Sequence, residues 1–572
     1  MACGTPYEFA QWLLLARNAL GTDALHSIPF AVSLHPQVPF MHKLLILSAL
    51  AASALAQSNT VPGLEGRITN NASPTLFGRR GPAYPNGEIG MSYSYTMCNP
   101  GSVSMAWSAP MNANHPMFAF SIVRESNGRL EQLTNNATTF VKHAFAAANT
   151  SSICGTCTTT GTGLRVGCAD TYGASTNASR TYLGPHSEID PWTGIWQPIG
   201  SYFDRSEPDV GAPANSDGVR SLTNSSGGVF VDPVKNRVTL QEQDLLVPGR
   251  LFHCMHIVVR GEDGDAHFDN LGHRQFTATW NGTTWQFANT GVPFTNGTVL
   301  NQWAGATVNS ARNGEDDGHF FVASKITDNG NGTWHYEYIV QNFDNARGGA
   351  TLRIPMCPST TATNVSFRDT DGDTLNQWTW ARVGSELVFS APANNPLDWN
   401  TMFNFSFDCN VGPVGGSVAV DQARIGAGAL SVNVATQIPS GLAQVTNMGP
   451  GCGTPLPTIA ATGGLPQIPN AGFGLQLTAD ANSLVFLLFS TQSANLDLGL
   501  GCTQYVDSNN VVGYGTYVTD GAGVANVAVP VPNDLSFDGV PLYWQSAQKA
   551  GIGPVFGHFT ISNGLITRFG CR

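Results

Sequence analysis

The stretch "GHFFVASKITDNGNGTWHYEYIVQNFD" at residues 318–344 decides the fold class. It reads as strand, Asn-Gly turn, strand. β-Branched and aromatic residues suit a pleated, half-buried surface, and Asn-Gly supplies the backbone that a tight hairpin needs. In the second strand Trp334, Tyr336 and Tyr338 fall on one face, and His335 and Glu337 on the other. The same grammar recurs in "HRQFTATWNGTTWQFA" (273–288), a second predicted hairpin. "GRLFHCMHIVVRG" (249–261), "GSELVFSAP" (384–392) and "TMFNFSFDCN" (401–410) read as further strands. No amphipathic helix of ordinary length stands out.

Working outward, the chain reads as an all-β, multidomain protein of tandem antiparallel β-sandwiches. Residues 313–438 carry about seven short strands, the pattern of an immunoglobulin-like sandwich. A β-rich N-terminal domain is expected over 57–312, a linker over 439–451, and a small C-terminal β-sandwich over 452–572. The apolar run "SLVFLLFS" (483–490) has the length of a buried strand.

Composition points the same way. Charged residues are 12% of the 572, only five are lysine, and the net charge is -12. Gly (63) and Pro (34) are both abundant, as in turn-rich extracellular sandwiches. A nucleic-acid partner wants a basic face, which this chain lacks.

"MHKLLILSALAASALAQSN" (41–59) reads as a signal peptide: a charged start at His42 and Lys43, an apolar run, and Ala54-Leu55-Ala56 before Gln57. The run is too short to span a bilayer, which needs about 20 apolar residues. Residues 1–40 are then expected to be a spurious or unstructured upstream extension, with Met41 the true start. The expected mature chain has no transmembrane segment and is secreted or held at the cell surface.

Eleven cysteines become ten without Cys3, an even number that suits disulfides in an exported chain. Connectivity is not deducible, but position suggests Cys357 with Cys409 and Cys452 with Cys502. Cys154 and Cys157 form a CxxC with Cys168 close behind. No thioredoxin-like βαβ pattern surrounds them, so loop staples are expected rather than redox chemistry.

Four groups of residues offer chemistry. Asp369, Asp371 and Asp373 in "DTDGDT" have hard oxygen ligands at calcium-loop spacing, although Gly372 and Trp380 break the EF-hand pattern. "HCMH" (253–256) holds copper-like ligands, but alternation puts His253 and His256 on opposite faces. The long polar loop 167–194 holds Asp170, Tyr172, Arg180, His186 and Glu188, with Trp192 and Trp196 flanking its end. In it, Asp170 and Glu188 are a candidate acid/base pair for glycoside hydrolysis. Tyr172, Arg180, Trp192 and Trp196 are candidate carbohydrate contacts. His115 and His143 are candidates to join that site, His143 in catalysis and His115 in binding. The chain has no G-x-S-x-G elbow, HExxH, P-loop or complete dinucleotide fingerprint.

"LEQLTNNATTFVKHAFAAAN" (130–149), "GLRVGCADTYGASTNASRTYLGPHSEIDPWTG" (163–194), "NGNGTWHYEY" (329–338) and "NNPLDWNTMFNFSFD" (394–408) resemble an uncharacterised exported family seen chiefly in planctomycetes. "GCGTPLPTIAATGGLPQIPNAGFGLQL" (451–477), "VPVPNDLSFDGVPLYWQ" (529–545) and "FTISNGLITRFG" (559–570) are similar to a C-terminal β domain of planctomycete secreted proteins. The resemblance implies export, with the tail serving sorting or attachment, and implies no activity. His186 stands where the family pattern would have Arg, and Cys357 and Cys409 are particular to this chain.

The expected function is therefore a non-enzymatic structural or binding role outside the cell, with polysaccharide or cell-envelope components as partners. No cofactor is expected unless calcium. The alternatives are a secreted polysaccharide hydrolase with its site in the 167–194 loop, and a calcium- or copper-dependent module.

Overall fold

The computed structural model describes residues 60–158, 163–205, 215–222, 232–314, 318–358, 360–439 and 443–571. The predicted leader and the upstream extension lie outside the described residues. The described parts of Ala56–Met356 and Thr360–Pro439 form one compact unit, and those of Cys357–Ser359 and Ser440–Arg572 a second.

The hairpin at 318–344 forms as its sequence dictates. Strands Phe320–Asp328 and Trp334–Asn342 pair antiparallel from Phe320↔Asn342 to Asp328↔Trp334. Gly330 (φ +74) and Gly332 (φ +82) take the left-handed conformations the loop requires. Thr307–Ala311 flanks the first strand, while Thr401–Cys409 and then Ala362–Arg368 extend the sheet beyond the second. A second five-stranded sheet runs Thr379–Val383, Glu386–Ser390, Gly349–Pro355, Pro413–Gln422, Ser431–Pro439. The two share one core of Phe320, Val322, Tyr336, Tyr338, Leu352, Phe405 and Val420. The buried Tyr338 also donates its hydroxyl to Gln437 O at 2.7 Å, joining the sheets. Truncating the fully buried Phe405 to Ala costs about 3–5 kcal/mol.

The described residues between 60 and 306 of the same unit build a second sandwich. Its main sheet runs Trp285–Asn289, Leu271–Trp280, Arg250–Val258, Met117–Ser126, Val141–His143, Leu183–Gly184. Two three-stranded sheets cover one face through Ile68, Ile89, Met91 and Met97. Met117–Ser126 is buried on both faces along its first eight residues. Phe118, Phe120 and Ile122 enter that core, whereas Val123 joins Phe252, Phe321, Ile339, Phe343 and Met402, a cluster drawn from both sandwiches. A strand apolar on both faces is covered on both, and here the second cover is the neighbouring sandwich at Val123 and a cluster with Ile189, Trp196 and Phe203 at Met117 and Ala119.

The tail unit packs the sheet Gln444–Gly449, Gly564–Arg568, Pro541–Gly553, Leu484–Ser490, Val512–Val518 against Thr458–Thr462, Gly474–Thr478, Val524–Ala528. Leu475, Leu477, Val485, Leu487, Phe489 and Trp544 fill the space between. Gln444–Gly449 lies within the stretch read as a linker. It pairs with Gly564–Arg568 instead, so its Asn and Gly residues end a strand rather than make a tether.

The chain is all-β, and no helix among the described residues exceeds five residues. No helix among them is long and apolar enough to cross a membrane. Disulfides join Cys98–Cys154, Cys157–Cys168, Cys357–Cys571 and Cys452–Cys502. The Cys357–Cys409 pairing expected from position does not form. Cys409 is a buried free thiol at the end of its strand, as is Cys254 inside another, and Cys357 reaches Cys571 at the far end of the sequence. The other pairing suggested by position, Cys452–Cys502, does form, while Cys571, the partner of Cys357, follows the last strand of the chain.

Candidate functional site

A cleft of about 1010 Å³ opens in the larger unit, where loops of both sandwiches meet. Turn 135–137 and loop 185–190 form one side, and turn 370–376 and loop 394–399 the other. Hydrogen bonds across the joint fix these loops. Asn136 Nδ2 donates to Trp399 O at 2.8 Å, and Trp399 Nε1 donates to His186 O at 3.1 Å. Asn135 Nδ2 donates to Asp371 Oδ2 at 3.0 Å.

The lining is carboxylate and amide. Asp398 pairs with Arg424 at 2.7 Å. Glu188 accepts from Tyr202 N at 2.7 Å and lies 3.7 Å from Arg205 Nη2. Burial pushes the Glu188 carboxyl above its ordinary value, against the opposing pull of Tyr202 N–H, Arg205 and Trp196. Asp190 is spent on its own turn, accepting from Trp192 N at 3.0 Å and Thr193 N at 3.1 Å. The cleft is lined by four carboxylates (Glu188, Asp190, Asp371, Asp398) and one guanidinium, Arg424. His186 adds no charge, because burial and nearby His256 lower its pKa to about 3. The field in the cleft is negative and disfavours an anionic ligand.

The structure separates the residues that the sequence grouped. Glu188 lines the cleft, but Asp170 does not, so they do not form the expected acid/base pair. Asp170 is buried in strand Ala169–Tyr172, where burial raises its pKa. His143 is fully buried and hydrogen-bonded to His115 at 2.6 Å, with Trp196 packed against both rings. Tyr172 accepts from Trp107 Nε1 at 2.6 Å and Phe145 N at 2.9 Å within the core. Arg180 is buried and donates to Asp232 O at 2.6 Å. Trp196 touches the cleft but is 1% exposed. Trp192 packs away from the cleft, on His267, His319 and Arg312. These polar and aromatic side chains hold the long loop onto the sheet, and of the four candidate carbohydrate contacts only Trp196 lines the cleft.

The three aspartates of the expected calcium loop are engaged with their own backbone. Asp369 Oδ1 accepts from Asp371 N at 3.2 Å, Asp371 Oδ1 from Asp373 N at 2.9 Å, and Asp373 Oδ1 from Leu375 N at 2.9 Å. Asp369 also accepts from Asn395 Nδ2 at 2.7 Å. This chain of turns builds the cleft wall. Among the described residues, the group of three His, Cys, Asp or Glu whose ligand atoms lie within 4.8 Å is Cys357, Asp538 and Cys571. Two of those are bonded to each other, and a disulfide is a poor metal ligand compared with a thiolate. The "HCMH" histidines diverge as alternation requires. His253 meets Asn71 at 3.1 Å and Asn289 at 2.9 Å, while His256 packs on Phe343 and Trp399.

A second titratable cluster ties the sandwiches together. Asp344, wholly buried, accepts from His267 Nδ1 at 2.8 Å and His319 Nδ1 at 3.2 Å. Burial alone would raise Asp344, but the two imidazoles hold it well below the carboxylate range. Burial opposes a charge on His267, yet Asp344 and Glu262 raise its pKa. Glu262 is itself pushed up to about 7 by burial.

Sequence reasoning missed Asn135, Asn136, Asp398, Trp399 and Arg424. The available signal was amide repetition in two loops, "TNNAT" and "ANNPLDWN".

No protein-family model matches the sequence, and no curated protein is similar to it. Solved structures with some likeness include BcpA, the major pilin subunit of Bacillus cereus, at 10% identity over 59% of this chain and 86% of that chain, TM-score 0.16. Escherichia coli alpha-2-macroglobulin activated by porcine elastase is similar at 11% identity over 89% of this chain and 35% of that chain, TM-score 0.12. At such scores neither carries a functional meaning for this chain.

Proposed function

We propose that the chain is an exported binding protein whose cleft takes a segment of neutral, hydroxyl-rich polysaccharide. The carrying observation is the cleft itself: about 1010 Å³, walled by amides and carboxylates, with Trp399 and Phe140 among its lining residues. Hydroxyl groups exchange hydrogen bonds with amides and carboxylates at no cost in charge, whereas uronic or sulfated chains meet a negative field. Export rests on the predicted leader and on the four disulfides, which suit an oxidising compartment. The planctomycete resemblance agrees with export and adds no ligand.

The test is retention on immobilised neutral and acidic polysaccharides, with Asp371→Ala and Asn376→Ala as variants. Retention by neutral polysaccharide, weakened about tenfold by either variant, is the expected result, one lost contact being worth about 1.4 kcal/mol. Equal retention by acidic polysaccharide overturns the reading.

Glu188 favours a second reading, polysaccharide hydrolysis, because a carboxyl with a raised pKa in a cleft suits a general acid. Release of new reducing ends, abolished by Glu188→Gln, supports it. Calcium at Asp369, Asp371 and Asp373 would draw on the carboxylate lone pairs left beside the Oδ1 that each gives to a backbone N–H. A melting temperature that falls on chelation supports calcium, and an unchanged one removes it. Copper at the histidines is read by elemental analysis of the secreted protein.

A further inference from the structure

The large sheet of the tail unit carries apolar side chains on its second face as well as in the core, beside the polar Gln545. Along Leu484–Ser490, Val485, Leu487 and Phe489 enter the core, and Phe486 and Leu488 point the other way by alternation. Along Pro541–Gly553, Trp544 belongs to the core and Ala547 to the opposite side. An antiparallel sheet ordinarily leaves its second face polar and solvated.

This second face is covered only in part. The two-stranded ribbon Ser493–Gly499 and Cys502–Val506, pinned by Cys452–Cys502, lays Leu498 and Val506 against it. What remains is a pocket of about 500 Å³ floored by Phe486, Leu488, Ala547 and Phe559. None of its lining residues is ionisable. Its size falls within the range of small-molecule sites, about 300–1,000 Å³.

The rim is the second observation. Phe556 lines the pocket at the tip of a hairpin, 83% exposed, with φ +52. The turn of the ribbon carries Leu500, 82% exposed, with φ +53, outside the pocket lining. Ile552, in the strand that leads to Phe556 and also outside the lining, is 92% exposed. Left-handed backbone belongs ordinarily to Gly or Asn. Large apolar side chains at two such turns carry both a conformational and a solvation cost, with no return inside the fold.

We infer that this pocket is a binding site for an uncharged aliphatic chain, the acyl or alkyl part of a lipid, with Phe556 closing over it. The absence of any charge in the lining selects against an ionic head entering, so the head of the lipid stays in solvent. The site is independent of the polysaccharide cleft.

The test uses the full secreted chain, the neutral dye Nile red and n-dodecanol as competitor. Saturable dye fluorescence, displaced by dodecanol, is expected. Ala547→Phe fills the pocket and should abolish the signal. Phe556→Gly relieves the left-handed turn, so it should leave the melting temperature unchanged or higher while weakening binding at least tenfold. That pairing separates a binding role from a structural one even if Ala547→Phe fails to fold. Salt-independent sedimentation with phosphatidylcholine vesicles identifies a bilayer as the source of the chain. Dodecanol displacement without vesicle binding identifies a soluble amphiphile, and either supports the site. No saturable signal, or a signal unchanged in Phe556→Gly, overturns it.

Discussion

Replacing Asp344 by Asn tests how the two sandwiches of the larger unit are tied. Asp344 is wholly buried and accepts from His267 and His319. His267 has a raised folded pKa, so its contribution is full below its unfolded value near ~6.5 and is lost as pH rises through the folded value. Asp344 has a depressed folded pKa, so its contribution is present above its unfolded value near ~3.9 and is lost as pH falls through the folded value. Between about pH 4 and 6.5 both are charged, and the pair is at full strength. Removing one partner of a buried pair there costs about 3–5 kcal/mol. As pH rises through the raised folded value of His267 the imidazole loses its charge, and the amide then loses only part of a hydrogen-bond set, about 1–2 kcal/mol. Urea unfolding of wild type and Asp344→Asn at about pH 5.5 and at a series of rising pH values, followed by tryptophan fluorescence, measures both differences. Trp192, packed on both imidazoles, is placed to report the change. A stability difference that stays constant or grows as pH rises along the series refutes the reasoning.

Buried neutral histidines act in the opposite sense. His186 and His256 are lowered to about 3 and His253 to about 4 by burial, so below about pH 6.5 the unfolded chain takes up protons the fold refuses. His256→Phe should therefore flatten the loss of stability between about pH 6.5 and 4, read from the urea midpoint against pH. Breaking Cys452–Cys502 by a double Ser substitution opens a loop of sequence separation 50 and should cost about 4 kcal/mol, read as a lower melting transition of the tail unit. Cys254 and Cys409 are buried, and burial pushes the Cys409 thiol up to about 11. A disulfide-exchange dye should therefore leave both unlabelled in the native protein and label both in urea.

The sheets were legible because period-two alternation is a local signal. Trp334, Tyr336 and Tyr338 announce an inward face, and the pairing of Phe320–Asp328 with Trp334–Asn342 follows from the turn between them. The site was not legible, because its walls are assembled by long-range packing. Asn135 and Asp371 are 236 residues apart in sequence and 3.0 Å apart in the cleft. The 167–194 loop misled for a related reason. Polar residues in a long loop look ligand-facing, yet Asp170, Tyr172 and Arg180 are turned inward to satisfy buried backbone and core groups. Only Glu188 of the expected catalytic residues reaches the cleft.

Hydrogen exchange of the protein, with and without neutral polysaccharide fragments, tests the cleft most directly. The account predicts slowed exchange confined to turn 135–137, loop 185–190, turn 370–376 and loop 394–399. Protection confined to the tail unit, or none at saturating ligand, contradicts it.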